Sequence, residues 1–443
     1  MNKNLSPVQG LKARKAAWEV IQAVGGGAFA DVALERIFNL YSFKSIDKAL
    51  VTELSYGSIR QRYFLDCWID FLGKVSAKKQ PPLLRWLLHL GLYQILKMER
   101  IPPAAAINTS VELAKTHHLA KLAPVVNGIL RSALRNKEMG VQLPKSKNPS
   151  LELAKNESLP VWFADELIAW KGTFDANKIA RAFNTISPID IRVNKIRADL
   201  KDVQAIFDSY GIGNQLIPNC PNGLEIPAGV GEPRKWPGYL EGKWSVQDRS
   251  SQLIAPFLGA LPGENILDAC AAPGGKSTHI AELINNQGNI WSVDRSSRRA
   301  EKILANAERL GTTSLQLLVA DSNKLLAKHP KWENYFHRIL IDAPCSGLGT
   351  LARHPDARWR MNKENIYKLV DLQSQLLKSL APLLKSGGKL VYSTCTIHPE
   401  ENFNQIKKFL RINSKFSLEY EKQIWPGEED NGDGFYISAL KKL

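Results

Sequence analysis

Two of the five cysteines follow short apolar runs that have the character of buried strands. Cys345 lies in the stretch Asp342–Gly349, and Cys395 lies in the stretch Tyr392–Asn402. Because the carboxyl ends of parallel strands meet at one edge of a sheet, we expect both thiols near one site. An isolated cysteine is more often a buried apolar side chain. Zinc is disfavoured, since there is no Cys-x-x-Cys and the eight histidines lack ligand spacing.

Paired thiols in this setting suit nucleophilic catalysis on a pyrimidine ring. Carbon 5 of cytosine is a poor nucleophile, but addition of a thiolate to carbon 6 makes an enamine that can attack a methyl sulfonium. A thiol with an ordinary pKa of about 8.5 is only slightly ionised at pH 7, so such a site must lower that pKa. Asp342 could hydrogen-bond the ring and stabilise the developing charge. A base must then remove the carbon-5 proton, and the second cysteine could assist release.

A second candidate site is the turn within Ile266–Thr278, where small residues link a predicted strand to a helix start. Small side chains let a ligand approach the backbone, and helix N–H groups face it. Asp294 and Asp321 end the next two predicted strands, where they could bind a ribose and an adenine edge. Either acid alone could be a helix cap. Without Gly-x-Gly-x-x-Gly or a phosphate loop, S-adenosylmethionine fits better than NAD.

The elements that position both sites form a regular pattern beyond Pro262. Strands alternate with helices such as Ser297–Leu310 and Glu364–Leu384, which predicts a parallel sheet covered on both faces. The predicted strands are Asn265–Ala269, Asn289–Val293, Leu315–Val319, Arg338–Ile341 and Lys389–Ser393. The sequence therefore predicts an α/β, Rossmann-like catalytic domain over residues 261–443.

Three further regions precede that domain. Apolar residues at helical spacing predict an all-α domain over residues 1–140. The Lys-, Asn-, Ser- and Pro-rich stretch 141–160 predicts a linker. Residues 161–260 mix a helix near Trp162–Trp170 with extended pieces and predict a small α+β subdomain. The chain is thus expected to be multidomain.

Composition and charge narrow the class of protein. The chain has 443 residues, 44% of them hydrophobic, but no apolar run of about 18 residues that could span a membrane. Met1–Gly10 is polar and lacks the apolar core of a signal peptide. Five scattered cysteines argue against a disulfide framework. These features predict a cytoplasmic protein without a membrane partner.

The positive charge is concentrated at the N-terminus. The net charge is +16, and residues 1–140 carry 20 basic and 10 acidic side chains, a net of +10. A basic helical domain suits a polyanionic partner, because phosphate neutralisation releases counterions. A solubilising surface would have the same composition, so the charge indicates nucleic acid without naming it.

The motifs together resemble the RNA (cytosine-5) methyltransferases, specifically their Sun/Fmu type, over nearly the whole chain. The segments that carry the resemblance in the catalytic domain are Leu267–Thr278, Asp342–Gly347 and Ser393–Cys395. Val125–Arg131 resembles the antitermination-factor-type RNA-binding domain at that family's N-terminus. Further matching segments are Arg192–Asn194, Val246–Asp248, Ser250–Gln252, Arg353–Asp356 and Asp433–Phe435.

The resemblance implies an S-adenosylmethionine-dependent enzyme that methylates carbon 5 of a cytosine in 16S ribosomal RNA, of the cytosine 967 type. It implies that Cys395 is the nucleophile that attacks carbon 6, that Cys345 assists product release, and that Asp342 and Lys276 face the base. The implied cofactor contacts are Cys270, Ala271, Ala272, Pro273, Gly274, Gly275, Lys276, Asp294, Asp321 and Asp342. We expect no metal and a monomer.

Two alternatives stay open from the sequence. The same chemistry could act on another RNA, such as transfer RNA or 23S ribosomal RNA. The chain could also be an RNA-binding assembly factor without chemistry, although both cysteines and the acids are present.

Overall fold

The computed structural model describes residues 10–428 and 432–443. The polar segment Met1–Gly10 lies outside this range except for its last residue, as does the beginning of the predicted domain 1–140. The described chain divides into two compact units. Unit 1 comprises residues 10–184 together with His354–Arg360, and unit 2 comprises Thr185–Arg353 and the remainder from Met361.

Helices make up unit 1 and cover the sheet of unit 2. In chain order they are α1 Leu11–Gly25, α2 Ala30–Leu40, α3 Ser45–Arg60, α4 Arg62–Leu72, α5 Pro82–Lys97, α6 Pro103–Thr116, α7 Ala123–Glu138, α8 Pro149–Glu157, α9 Val161–Ala182, α10 Leu200–Ser209, α11 Arg249–Gln252, α12 Ile254–Leu258, α13 Gly275–Leu283, α14 Ser297–Leu310, α15 Leu325–Lys328, α16 Ala357–Arg360, α17 Lys363–Leu380 and α18 Phe403–Ile412.

Unit 1 is a helical bundle of α1 to α9 with α16, which confirms the all-α prediction. Its central helix is α5, where Leu87, Leu88 and Leu92 are wholly buried. A helix that is apolar on most of its surface must pack on several sides, so α5 contacts α1, α3, α6 and α7.

The division into units differs from the predicted domain limits. Helix α8 lies within the stretch 141–160, where a linker is predicted, and unit 1 extends to residue 184 rather than 140. The Asn148 side chain caps α8 by accepting hydrogen bonds from the N–H groups of Ser150 and Leu151. This helix buries little more than Leu153 and Ala154, so its apolar pattern is too short to be recognised in the sequence.

The segment His354–Arg360 completes the core of unit 1. The Arg358 guanidinium is wholly buried and donates hydrogen bonds to the carbonyl oxygens of Ser158 and Phe183, at 3.1 Å each, and of Arg60 at 3.3 Å. Burial lowers the pKa of Arg358 to about 9. The Trp359 indole donates to the carbonyl of Ile59 at 2.6 Å. Because buried backbone carbonyls need partners, this segment is part of the bundle's structure.

Unit 2 contains two sheets over its described residues. The small antiparallel sheet has the order β2-β3-β1-β4, and the large sheet has the order β10-β11-β9-β8-β5-β6-β7. The strands are β1 Ile189–Val193, β2 Gln215–Leu216, β3 Gly223–Ile226, β4 Trp244–Val246, β5 Asn265–Asp268, β6 Asn289–Asp294, β7 Leu315–Val319, β8 Phe336–Asp342, β9 Leu384–Thr394, β10 Phe416–Ile424 and β11 Phe435–Lys442.

The large sheet confirms the Rossmann-like prediction and adds a hairpin to it. Strands β5 to β9 are parallel, and β5 pairs with β6 on one side and with β8 on the other. Ligands bind at such a switch point, beyond the carboxyl ends of the strands. The antiparallel strands β10 and β11 extend the sheet past β9. Neither strand was predicted from the sequence; β10 is largely exposed and polar, whereas β11 is buried over nearly its whole length.

Within the described residues, no helix combines the length and apolar character needed to cross a membrane. The same part of the chain contains no cluster of three or more His, Cys, Asp or Glu side chains arranged to hold a metal ion.

Candidate active site

The two cysteines meet at the carboxyl ends of β8 and β9, which we call the cysteine side of the sheet. Strand β8 ends at Asp342 and pairs in parallel with β9, so that Asp342 lies opposite Ser393. The chain then places the Sγ atoms of Cys345 and Cys395 at a separation of 3.4 Å. Both side chains are partly exposed. Two thiols 50 positions apart in sequence are therefore in contact because neighbouring strands end at the same level.

Close backbone packing holds this pair in place. The Gly349 N–H donates to the carbonyl of Cys395 at 3.1 Å, and the Gly434 N–H donates to the carbonyl of Gly349 at 2.9 Å. A Cβ at Gly349 would lie 1.9 Å from the carbonyl oxygen of Gly434 and 2.9 Å from that of Cys395. Only glycine fits at position 349, so the loop after Cys345 is locked against the turn that carries Cys395.

An ion pair lies beside the thiols. The Lys276 Nζ is 2.6 Å from Oδ2 of Asp342, and the Ser393 hydroxyl donates to Oδ1 of Asp342 at 3.0 Å. The Lys276 ammonium also lies 5.6 Å from the centre of the Phe435 ring. Burial alone would lower the pKa of Lys276, but the Asp342 carboxylate raises it above its ordinary value. The lysine therefore remains a cation and the site holds both charge signs.

The carboxyl ends of β5, β6 and β7 form the cofactor side of the sheet. After β5 the chain passes through a turn with a cis peptide bond between Ala272 and Pro273, and α13 begins at Gly275. Gly274 has a φ of 100°, and a Cβ there would lie 3.2 Å from the Cα of Ile303. Positive φ and close packing both require glycine at this position.

Asp268 ends β5 directly under this turn and was not singled out by the sequence analysis. Its carboxylate is buried and accepts a hydrogen bond from the Ser277 hydroxyl at 2.6 Å. Burial, with a further contribution from Asp342, raises the pKa of Asp268 to about 7. Burial also raises the pKa of the Cys270 thiol, which makes that thiol a poor nucleophile.

The two acids predicted to bind a nucleoside lie at the neighbouring strand ends. The buried Asp294 carboxylate accepts a hydrogen bond from the Ala272 N–H at 3.3 Å and is 3.3 Å from the Arg299 guanidinium. Asp321 lies two residues beyond β7, and its carboxylate accepts the Asn323 N–H at 3.0 Å. The Asp294 carboxylate is thus hydrogen-bonded to the turn that follows β5. The Asp321 carboxylate instead caps the short 3₁₀ helix that begins at Ser322.

A buried arginine from the small sheet anchors the cofactor helix. Arg192, in β1, donates to the carbonyl of Gly275 at 3.0 Å and pairs with Glu282 at 2.6 Å. It also contacts the Gln247 side chain. Glu282 is buried, which raises its pKa, while Arg192 opposes that shift. The matching segments Arg192–Asn194 and Val246–Asp248 of the sequence analysis therefore fix where α13 begins.

A partly buried arginine holds the loop that follows Cys345. Arg353 is 3.0 Å from the carboxylates of both Asp248 and Asp433, and it donates to the carbonyl of Pro188 at 2.8 Å. Burial, and then the charge of Asp248, raise the pKa of Asp433 to about 7. This cluster explains why Arg353 and Asp433 occur among the matching segments.

Glu401 lies in the segment Tyr392–Asn402, but the sequence pattern assigns it no function. The Glu401 carboxylate is wholly buried and accepts hydrogen bonds from the Ser346 N–H at 2.9 Å and from the Ser346 hydroxyl at 2.5 Å. The Ser346 hydroxyl lies 2.7 Å from that of Thr396. The only signal in the sequence is an acid six residues after Cys395, and its partner Ser346 becomes apparent only when the fold brings the two loops together.

The residues of the cofactor side fit a nucleoside cofactor by their donors and acceptors. Backbone N–H groups of a glycine-containing turn, the Asp294 carboxylate and the Asp321 carboxylate match the polar groups of a nucleoside. The cysteine side supplies two thiols in contact with each other and an ammonium paired with a carboxylate. Such a set can carry out nucleophilic addition with electrostatic stabilisation of the resulting charge.

Comparison with known proteins gives two family matches. Residues 255–441 match the family described as 16S rRNA methyltransferase RsmB/F. Residues 11–135 match the NusB family. The first match covers the large sheet of unit 2, and the second covers most of the helices of unit 1.

Individual proteins match over almost the whole length. The chain is 37% identical to the "Probable ribosomal RNA small subunit methyltransferase B" of Synechocystis sp., over 98% of this chain and 100% of that protein. It is 33% identical to the protein of the same name in Bacillus subtilis, over 94% of this chain and 95% of that protein. The crystal structure of PH0851 superposes with a TM-score of 0.83 and 26% identity, covering 100% of both chains.

Proposed function

Because the chain belongs to the ribosomal RNA small subunit methyltransferase B family, and is therefore an RNA methyltransferase, we propose that it methylates carbon 5 of a cytosine in 16S ribosomal RNA. The observation that carries the choice of carbon 5 is the contact between the Cys345 and Cys395 Sγ atoms, 3.4 Å apart and beside the Lys276–Asp342 pair. Methylation of an exocyclic nitrogen or a ribose hydroxyl needs no thiol, whereas activation of carbon 5 needs a nucleophile at carbon 6.

In this proposal Cys395 is the nucleophile. Its thiolate adds to carbon 6, the Cys395 Sγ–C6 bond forms, and the ring electrons move to carbon 5 and towards N3. Asp342 hydrogen-bonds the edge of the base, and the Lys276 ammonium stabilises the negative charge that the ring acquires. After carbon 5 carries the methyl group, loss of its proton lets the Sγ–C6 bond break and returns the thiolate. Cys345 assists this last step.

The cofactor proposed for the turn after β5 is S-adenosylmethionine, which supplies a methyl group on a sulfonium. The residues that would hold it are Cys270, Ala271, Ala272, Pro273, Gly274, Gly275 and Lys276 in the turn, with Asp294, Asp321 and Asp342 at the strand ends. Among these, Asp294 is suited to the ribose hydroxyls, since it is buried and already oriented by the Ala272 N–H.

Unit 1 is proposed to bind the RNA backbone. The +10 charge of residues 1–140 attracts phosphate and sets the register of the RNA, while base chemistry takes place in unit 2. The target cytosine must be unpaired or rotated out of its helix, because carbons 5 and 6 are attacked from the face of the ring. We assign the target to the cytosine 967 type by resemblance.

Mapping the modified nucleotide tests this proposal. Unmodified 16S RNA is incubated with the purified protein and S-adenosylmethionine, and bisulfite sequencing then locates 5-methylcytosine. We expect one modified cytosine, at position 967. Modification of transfer RNA or 23S RNA instead would favour the first alternative substrate class. Methylation at a ring nitrogen or a ribose would contradict the proposed chemistry.

A further inference from the structure

The contact between Cys345 and Cys395 raises the question of which thiol loses its proton. At an Sγ–Sγ distance of 3.4 Å, two thiolates repel strongly, so the pair can carry only one negative charge near neutral pH. The remaining S–H can donate to the thiolate. The surroundings of the two sulfur atoms must therefore decide which cysteine is the nucleophile.

The surroundings of Cys345 are acidic and rigid. The residue after it, Ser346, donates both its N–H and its hydroxyl to the Glu401 carboxylate. The Gln373 amide donates to Glu401 at 3.1 Å and to the carbonyl of Pro344 at 2.9 Å, on the other side of the cysteine. The turn Pro344–Ser346 is thus held by one buried carboxylate, directly and through Gln373.

The charge near Cys395 is opposite in sign to the charge near Cys345. The Asn402 side chain holds this turn, since its oxygen accepts the Thr394 hydroxyl at 2.6 Å and its amide donates to the carbonyl of Thr396 at 3.0 Å. Asn402 carries no charge. The charged neighbour of Cys395 is the Lys276 ammonium, whose pKa is lowered by burial but raised by Asp342 and, to a smaller extent, by Cys395.

The proton affinity of Cys345 agrees with its acidic surroundings. The hydrogen bond with Cys395, burial and the negative charges of Cys395 and Glu401 hold the pKa of Cys345 well above its usual range. Burial raises the pKa of Glu401, while the hydrogen bonds from Ser346 and Gln373 and the charge of His398 oppose that shift. The other charged groups near the pair, Asp342 and Lys276, form an ion pair with each other.

We propose that Glu401 is the positioning residue that assigns the roles of the two cysteines. It fixes the Pro344–Ser346 turn so that Cys345 keeps its proton and donates its S–H to Cys395, and Cys395 is left to ionise. Before the attack on carbon 6, Cys395 loses its proton to solvent, and the thiolate electron pair forms the bond to carbon. The proton of Cys345 is not consumed in that step. The statement that Cys395 attacks the base rests on the proposed function, whereas the assignment of the proton to Cys345 does not.

Thiol alkylation without RNA tests this assignment. The full-length protein is treated with iodoacetamide at a series of pH values, and mass spectrometry measures the labelling rate of each cysteine-containing peptide. The pH midpoint of each rate profile reports ionisation and is independent of how accessible the sulfur is. In the unaltered protein we expect the midpoint of Cys345 to lie well above the usual range of a thiol and above that of Cys395. Labelling of Cys345 at the lower midpoint would overturn the proposal.

The variant Glu401→Gln removes the charge and keeps the size of the side chain. We expect the midpoint of Cys345 to fall by about one pH unit, because the negative charge of Glu401 no longer opposes its ionisation. Glu400→Gln is the matched control, since the neighbouring Glu400 pairs with Lys408, and both midpoints should stay unchanged. A Cys345 midpoint that is equal in Glu401→Gln and in the unaltered protein would contradict the role of Glu401.

Two features keep the test decisive. The order of labelling in the unaltered protein requires no variant, so it stands even where Glu401→Gln does not fold. The measurement also uses no RNA. A protein that shows the expected midpoints but methylates no cytosine would contradict the proposed function and leave the assignment of the protons intact. A protein that methylates cytosine but labels Cys345 at the lower midpoint would contradict the assignment of the protons and leave the proposed function intact.

Discussion

The cofactor side and the cysteine side of the same sheet are built in different ways. On the cofactor side, the turn between β5 and α13 is continuous in sequence and is shaped by small residues and glycine geometry. On the cysteine side, Cys345 and Cys395 come from separate loops that Gly349 and Glu401 lock together. One continuous segment can form a ligand pocket, whereas contact between two thiols from separate loops requires tertiary contacts that fix the Sγ–Sγ distance.

The largest expected effect separates the cysteines of the two sides. Cys395→Ala should lower turnover to below about one-thousandth of the unaltered enzyme, because the covalent route is lost. Cys270→Ala, on the cofactor side, removes a thiol whose pKa burial raises, and we expect a much smaller loss, through cofactor affinity and not through the chemical step. The measurement is methyl transfer from radiolabelled S-adenosylmethionine to 16S RNA. Equal losses in the two variants would remove the distinction between the two sides.

A glycine substitution on each side tests how each is built. Gly349→Ala places a methyl group 1.9 Å from the Gly434 carbonyl oxygen, so we expect the free energy of unfolding to fall by about 2 kcal/mol. Gly275→Ala meets no atom closer than 4.0 Å and should leave stability unchanged while weakening cofactor affinity. Urea unfolding and calorimetry measure the two quantities. A stable Gly349→Ala protein with full activity would show that the cysteine loops are not locked together.

Removal of an acid on the cofactor side should affect one ligand alone. Asp294→Ala is expected to weaken S-adenosylmethionine binding about tenfold or more, since hydrogen bonds to a charged group are lost, and to leave RNA binding intact. Asp294→Asn keeps an acceptor for the Ala272 N–H and should lose less. Calorimetry with the cofactor and a filter-binding assay with RNA separate the two affinities. Unaltered cofactor affinity in Asp294→Ala would exclude the proposed contact between Asp294 and the ribose hydroxyls.

The smallest expected effect concerns the charge of unit 1. Truncation of residues 1–140 is unsuitable as a test, because it would remove the Arg60 carbonyl that the buried Arg358 contacts. Arg131, on the exposed face of α7, offers a gentler change. Arg131→Gln should weaken RNA binding a few-fold and reduce the slope of log affinity against log salt by about 0.7 to 0.9. Lys201→Gln in unit 2 removes the same charge and should leave that slope unchanged.

The sequence predicted the parts of this molecule that local patterns encode. Strand β7 and helix α14 have the predicted bounds, and β5, β6 and β8 differ from their predicted bounds by a few residues. The all-α unit and the Rossmann-like sheet are also confirmed. These elements have clear apolar periods, so short-range rules suffice to find them.

The remaining features depend on contacts between distant segments. Strand β10 is largely exposed and polar, and its antiparallel pairing with β11 is a contact that the sequence does not specify. Helix α8 is short, and His354–Arg360 joins unit 1 through long-range contacts such as those of Arg358 and Trp359. Glu401 acquires its role when β9 places it beside Ser346. The roles of Cys395, Cys345, Lys276 and the cofactor residues stay predictions.

Covalent trapping tests the central claim that Cys395 attacks the base and Cys345 releases it. Cys345→Ala is incubated with unmodified 16S RNA and S-adenosylmethionine and is then run on a denaturing protein gel. We expect a slowly migrating, nuclease-sensitive band that disappears in the double variant Cys345→Ala/Cys395→Ala. Absence of the band in Cys345→Ala, with RNA that the unaltered enzyme methylates, would contradict the assigned roles of the two cysteines.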